Sequence, residues 1–423
     1  MSREVHGAID AVWRLERPKI IAVVARMVRD VGLAEDLAQD ALVAALEHWP
    51  TEGVPDKPAA WLMATAKHRA LDRLRQASLH ARKQEELGAD ADARGDHVVP
   101  DLVEALQAAE GDDIGDDLLR LVFTACHPVL SPDARVALTL KLLCGLTTDE
   151  IARAFLASEP TIAQRIVRAK RSLAAAKVPF EVPRADALPE RLASVLEVIY
   201  LVFNEGYAAT SGGDWMRPAL CDEALRLGRV LATLMPEHGE VLGLLALMEI
   251  QASRTAARTD AHGHPVLLLE QDRRRWDRLL IRRGLALLDR AEALAAGQDG
   301  LGPYALQAAI AACHARAATA DATDWPRIVA LYDALAQGLP SPVVALNRAV
   351  AVGMAFGPAA ALEIVDALAA EPALARYHLL PSVRGDLLAK LGRHDEARAE
   401  FMRAASMTAN EREQKVLLQR AMA

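Results

Sequence analysis

The sequence predicts an all-α protein, and three observations carry that prediction. Hydrophobic residues make up 52% of the 423 residues while aromatics make up only 4%. Ala and Leu dominate the apolar set, and the alternating Val/Ile/Thr/Tyr runs that build half-buried strands are missing. Spacings of three and four between apolar residues recur along the chain. At this length a single core stops growing, so several domains are expected.

Charge divides the chain more informatively than its sum of −8. Residues 1–84 carry a net +2, residues 85–117 a net −11, residues 118–184 a net +5 and the remainder −4. The acidic stretch is rich in Gly and Ala and weakly periodic in its first half, which reads as a linker. Prolines 179, 183 and 189 mark a second break. Three folded units are expected, at roughly 1–84, 118–180 and 188–423.

In the first unit Ile20, Val23, Val24, Met27, Val28 and Val31 fall on one helical face. A second helix repeats the pattern through Ala38, Ala41, Leu42, Ala45, Leu46 and Trp49, with Glu35, Asp36, Gln39 and Asp40 as an acidic patch near its start. A third helix opens at Trp61 and buries Ala66, Ala70 and Leu74. It spreads Lys67, Arg69, Arg73, Arg75, Arg82 and Lys83 against a lone Asp72, a surface suited to a phosphate backbone and unstacked bases.

In the second unit Ser131-Pro132 starts a helix that stops at Gly145. Thr147-x-x-Glu150 is a capping box opening a short helix, Ala157-Ser158 makes a turn, and Ser158-Glu159-Pro160-Thr161 begins another helix through Leu173. This is helix-turn-helix spacing. Ile162, Ile166, Ala169 and Leu173 face inward, leaving Thr161, Gln164, Arg165, Arg168 and Arg171 as an outward stripe for base edges and phosphates in a major groove.

In that order, LAEDLAQDALVAALEHW (33–49), WLMATAKHRALDRLR (61–75) and LTTDEIARAFLASEPTIAQRIVRAKRSL (146–173) resemble the two-domain bacterial sigma factors of the extracytoplasmic-function group. The later YLVFNEGYAATSGGD (200–214) and QDRRRWDRLLIRRGLALLDRA (271–291) resemble the remainder of a subgroup with a C-terminal extension. The resemblance implies partners, core RNA polymerase and promoter DNA, and no catalysis. It implies that Glu35, Asp36, Gln39 and Asp40 dock on the polymerase and that Trp61, Lys67, Arg69, Arg73 and Arg75 hold the minus-ten element. Ser158, Thr161, Gln164, Arg165, Arg168 and Arg171 would lie on the helix reading the minus-thirty-five element. The acidic linker would thread the polymerase's basic RNA channel. His68 stands where the family usually has Asn, and Ala163 where Lys is frequent. The other reading of the same helices is a helix-turn-helix regulator acting without core polymerase.

From Leu188 onward the chain reads as Ala/Leu-rich helices. Residues 345–370 and 380–405 align at a step of 34 to 35, with Gly357 and Gly392 at equivalent turns, the tetratricopeptide pattern, and residues 304–339 form a looser copy. Such repeats imply a protein or peptide partner. Asn204, Glu205 and Tyr207 read as a polar loop and a candidate ligand or domain contact, and Arg273, Arg274, Arg275, Arg278, Arg282 and Arg283 as a salt-bridged face on one helix.

Cys126, Cys144, Cys221 and Cys313 are far apart without paired spacing, so buried reduced thiols are expected, and neither a zinc site nor any other cofactor. His262 and His264 lack a cysteine ligand nearby. The apolar runs at 192–203 and 241–248 are short of a membrane span, and no secretory leader is read; a soluble, cytoplasmic protein without a membrane partner is expected.

Overall fold

A computed structural model describes the chain except for residues 1, 87–113, 156, 209–210, 213–215, 261–264, 297–299 and 423. By contact it divides into two units, Met1–Val198 and Ile199–Ala423. The described residues are almost wholly helical, as the composition predicts.

The first unit is built around α1 (Ser2–Val28), which packs with α2 (Val31–Glu52) and α3 (Pro58–Glu86). Asp30 caps α2, its carboxylate accepting from the Leu33 amide at 2.9 Å. Periodicity predicted one buried face on α1, yet Ile20, Ile21, Ala22, Val23, Val24 and Ala25 are all buried. A helix buried all round has neighbours on both sides. Here α2 and α3 cover one side, and α4 (Ile114–Ala125) and α5 (Pro132–Leu142) also pack on α1. The helix is shared between a first module, α1 to α3, and a second, α4 to α7.

The second module owes its geometry to local signals. Ser131 caps α5, and Gly145 takes φ +71°, a left-handed turn that favours glycine. α6 (Thr148–Ala154) opens on a closed capping box: the Glu150 amide donates to Thr147 Oγ1 at 3.1 Å, and the Thr147 amide to Glu150 Oε2 at 2.7 Å. α7 (Glu159–Ala175) begins at the Ser158 cap with Pro160 in its first turn and buries Ile162, Ile166, Ala169 and Leu173. α8 (Leu188–Tyr207) gives this unit its residues up to Val198. Arg191 donates to the Phe123 carbonyl at 2.8 Å, Ser194 to that of Cys126 at 2.5 Å, and Arg135 pairs with Glu197 at 2.9 Å.

In the second unit α9 (Pro218–Leu234), α10 (Gly239–Ala252), α11 (Arg278–Ala295) and α12 (Pro303–Arg316) precede α13 (Trp325–Gly338). The apolar run that fell short of a membrane span is the middle of α10, buried against α9, α11 and α12. Its Glu249 is fully buried and meets Arg229 at 2.9 Å and Arg283 at 3.0 Å. The paired segments at the end are helix hairpins: α14 (Pro342–Phe356) with α15 (Pro358–Leu368), and α16 (Leu379–Lys390) with α17 (His394–Met407). Gly357 and Gly392, at φ +101° and +75°, turn them, and α18 (Glu411–Met422) follows. Ser211–Gly212 and Ala409–Asn410 form a minimal parallel pair.

Two local expectations change. Asn204, Glu205 and Tyr207 lie in the last turns of α8, not in a loop, because the helix continues through Gly206. That glycine serves packing: a Cβ there would stand 2.6 Å from the Cys221 amide nitrogen. Arg273, Arg274 and Arg275 form a separate 3-10 turn, and α11 starts only after the Asp277 cap, whose carboxylate accepts from the Leu279 and Leu280 amides. Most of the acidic linker, at 87–113, as well as His262 and His264, falls outside the described residues. All four cysteines are buried and none is in a disulfide, and burial raises Cys126 to about 11 and Cys221 to about 12. Among the described residues no helix is long and apolar enough to cross a membrane, and no group of three or more His, Cys, Asp and Glu could hold a metal ion.

Burial, with Arg254 and Arg273 nearby, lowers His314 to about 4, and burial beside Arg191 does the same to His127. An unfolded histidine titrates near 6.5, so between pH 6.5 and 4 the unfolded chain binds more protons and stability falls as the pH drops. Urea denaturation of the full chain should give a lower midpoint at pH 5 than at pH 7, and His314→Gln should reduce that difference.

Candidate nucleic-acid interface

The outward stripe of α7 follows from its cap and its buried face. With Ile162, Ile166, Ala169 and Leu173 turned in, Thr161, Gln164, Arg168 and Arg171 are exposed and Arg165 is half-buried. Ser158 is exposed, accepts from the Thr161 amide at 3.3 Å and shares a hydrogen bond with its hydroxyl at 2.7 Å. Arg165 leans on Asp133 of α5 at 3.2 Å, which aims the guanidinium. An amide and three guanidinium groups on one exposed helix face can meet base edges and phosphates in a major groove.

On α3 the structure brings together an aromatic and a basic ridge. Trp61 is half-buried, edge-on to the buried Trp49 with ring centroids 5.5 Å apart and planes at 71°, and His48 lies 6.4 Å away. Core packing holds the indole while leaving part of it accessible. Lys67 and Arg69 are half-buried and Arg73 and Arg75 exposed, with Arg75 3.1 Å from Asp72. Arg69 lies 3.7 Å from Asp40, so the basic ridge and the acidic patch adjoin.

The acidic patch does not stay whole. Asp36, Gln39 and Asp40 are exposed, but Glu35 is buried at 3% exposure. Its carboxylate accepts from Arg17 of α1 at 2.8 Å and pairs with Lys170 of α7 at 2.6 Å, with Lys141 of α5 at 3.9 Å. Arg17, also buried, donates at 3.1 Å to the Gly145 carbonyl. Glu35 therefore ties the first module to the second. Burial holds Arg17 and Lys141 below their usual values, a shift that Glu35 opposes without cancelling. Burial also raises Asp36, opposed by Lys170. Sequence reading missed Arg17, Lys141 and Lys170; a buried carboxylate's need for cations was the available signal, but nothing local named them.

In the second unit Glu205 is buried and paired with Arg217, and Asn204 is half-buried. Tyr207 receives a hydrogen bond from Arg254 at 2.7 Å, and the Arg258 guanidinium lies 3.6 Å over its ring. Glu205 and Tyr207 are thus joined to the protein's own side chains.

Residues 12–79 match the family model for Sigma-70 region 2, and residues 120–173 that for Sigma-70, region 4. Residues 191–292 match a family of unknown function, DUF6596. The uncharacterized protein R00370 of Rhizobium meliloti (strain 1021) is 44% identical over 405 residues, covering 96% of this chain and 93% of its own. The probable ECF RNA polymerase sigma factor SigI of Mycobacterium tuberculosis is 28% identical over 183 residues, 43% of this chain and 59% of that protein. ECF RNA polymerase sigma factor SigK of Mycobacterium sp. (strain KMS) is 29% identical over 164 residues, 38% of this chain and 77% of its own. Two DNA-handling helical modules in this order define a promoter-directing class of protein. The chain belongs to the extracytoplasmic-function sigma factors, with a C-terminal extension of unknown function.

Removing one partner of a buried ion pair strands the other charges, whereas an exposed pair contributes little. Glu35→Ala should lower the unfolding free energy of the full chain by about 3 kcal/mol. Asp40→Ala should change it by less than about 1 kcal/mol; chemical denaturation monitored by circular dichroism measures both.

Proposed function

We propose that this sigma factor works by parting the two modules of its first unit. Residues 1–84 would act as region 2, 85–117 as the acidic linker, 118–180 as region 4 and 188–423 as a regulatory or interaction domain for a protein or peptide partner. Asp36, Gln39 and Asp40 would dock on core RNA polymerase, joined by Glu35 once it is released from Lys170. Trp61, Lys67, Arg69, Arg73 and Arg75 would hold the minus-ten element. Ser158, Thr161, Gln164, Arg165, Arg168 and Arg171 would read the minus-thirty-five element. We read the chain as a cytoplasmic binding protein, since sigma factors in general are not enzymes.

The observation that carries the reading is the direct contact of Lys170 and Arg17 with Glu35. Promoter elements centred near minus ten and minus thirty-five lie roughly 80 Å apart along a duplex rising 3.4 Å per base pair. Modules packed together on α1 and tied through Glu35 cannot reach both, so engagement of polymerase and promoter must separate them. Asn204, Glu205 and Tyr207 remain a candidate contact of the extension.

The test is transcription with purified core polymerase and the full chain. Arg165→Ala/Arg168→Ala should reduce initiation at duplex promoters by about tenfold or more, as expected for losing two guanidinium contacts, and leave core binding intact. Asp36→Ala/Asp40→Ala should weaken core binding instead. A chain that binds promoter DNA but never co-purifies with core polymerase would support the regulator reading.

A further inference from the structure

The same packing of the two modules leaves a partly open cavity of about 950 Å³, a size that admits a nucleotide-sized ligand. Six cationic side chains reach its wall: Arg26, Arg29, Arg73, Arg120, Lys170 and Lys177. Asp30 and Glu181 are the acidic ones, and Asp30 already caps α2. Apolar surface from Leu74, Leu173, Val178 and Phe180 completes the lining.

The cavity wall carries six cations and two carboxylates. The fully buried Asp117 serves both Arg26, at 3.3 Å, and Arg120, at 2.7 Å. Glu35 serves Arg17, Lys141 and Lys170. Bringing the modules together concentrates positive charge at partial cost in desolvation and repulsion, which an anion in the cavity would offset.

Backbone conformation adds an independent observation. Arg29 and Lys177, which follow the ends of α1 and α7, take φ +53° and +48°, the two non-glycine residues with positive φ among those described. Glycine is the usual residue at such positions and costs less. Each position instead places a cation on the cavity wall, at the expense of backbone strain.

We propose that this cavity binds a small phosphorylated polyanion of nucleotide size, and that its occupancy holds the two modules together. The second half rests on the parting of modules argued above: a ligand that needs both walls favours the packed arrangement by its differential affinity. Phosphate groups would take charge-assisted hydrogen bonds from the cations, and an organic body would lie on the apolar surface.

Titration calorimetry of the free full-length chain, in about 150 mM salt to screen nonspecific attraction, tests the first half with ADP and inorganic tripolyphosphate as probes. Saturable one-to-one binding by either probe is expected. Tighter ADP binding would indicate an organic phosphate, and tighter tripolyphosphate binding an inorganic one. The double variant Arg29→Gly/Lys177→Gly should fold, since glycine suits both backbones, and should bind the better probe about tenfold more weakly. No saturable binding of either probe to millimolar concentration, or binding unchanged in the double variant, overturns the site. Hydrogen exchange tests the second half: amides around 29–33 and 174–178 should gain protection with the bound probe, and binding without added protection overturns it. Neither measurement involves polymerase or promoter, so failure here leaves the transcription reading standing.

Discussion

The first unit depends on one buried carboxylate. Glu35 sits in the second turn of α2 and meets cations from three other helices instead of water. Isolated in an apolar interior such a charge would be costly, and Arg17 and Lys170 make its burial tolerable. Those cations come from both modules, so satisfying the carboxylate and joining the modules are the same event. The all-round burial of α1 is the apolar counterpart: its second face is covered only while the second module is packed there.

This gives the unit two competing uses for the same residues. Glu35 lies among Asp36, Gln39 and Asp40, which stay exposed, and Lys170 lies on α7 beside the exposed groups suited to DNA. The internal pairings draw on the charge chemistry that external partners would use. An ion cluster is well suited to such exchange, because a polyanionic duplex or an acidic-patch receptor can replace each internal partner with a similar one. Purely apolar packing offers no equivalent replacement.

What was legible in the sequence is what short-range physics decides. The capping box Thr147/Glu150, the Ser158 cap and the inward face of α7 were readable because each is fixed within one or two helical turns. So were the glycine turns at 357 and 392. Periodicity found one face of α1 but not the other, and missed Glu35's role, because the deciding contacts are remote: Arg17 and Gly145 are 128 residues apart. The polar run around Asn204 read as a loop because Gly206 is a turn signal. Its purpose is close approach to Cys221, which only the folded chain displays. In the arginine-rich segment Arg283 pairs with Glu249 and Arg274 with Asp272 as expected, whereas Arg273 and Arg275 donate to the Ala317 and Thr259 carbonyls and the Asp277 cap breaks the segment.

If the Glu35 ion cluster holds the two modules in contact, they keep one short separation in the free chain. Spin labels at Gln76 on α3 and Ser172 on α7, both exposed, would report the separation by pulsed dipolar spectroscopy on the full chain. A single narrow distance distribution is expected for the free protein. Glu35→Lys, or addition of core polymerase and promoter DNA, should shift it to long, broad distances. A distribution that is already broad in the free chain, or that Glu35→Lys leaves unchanged, would contradict it.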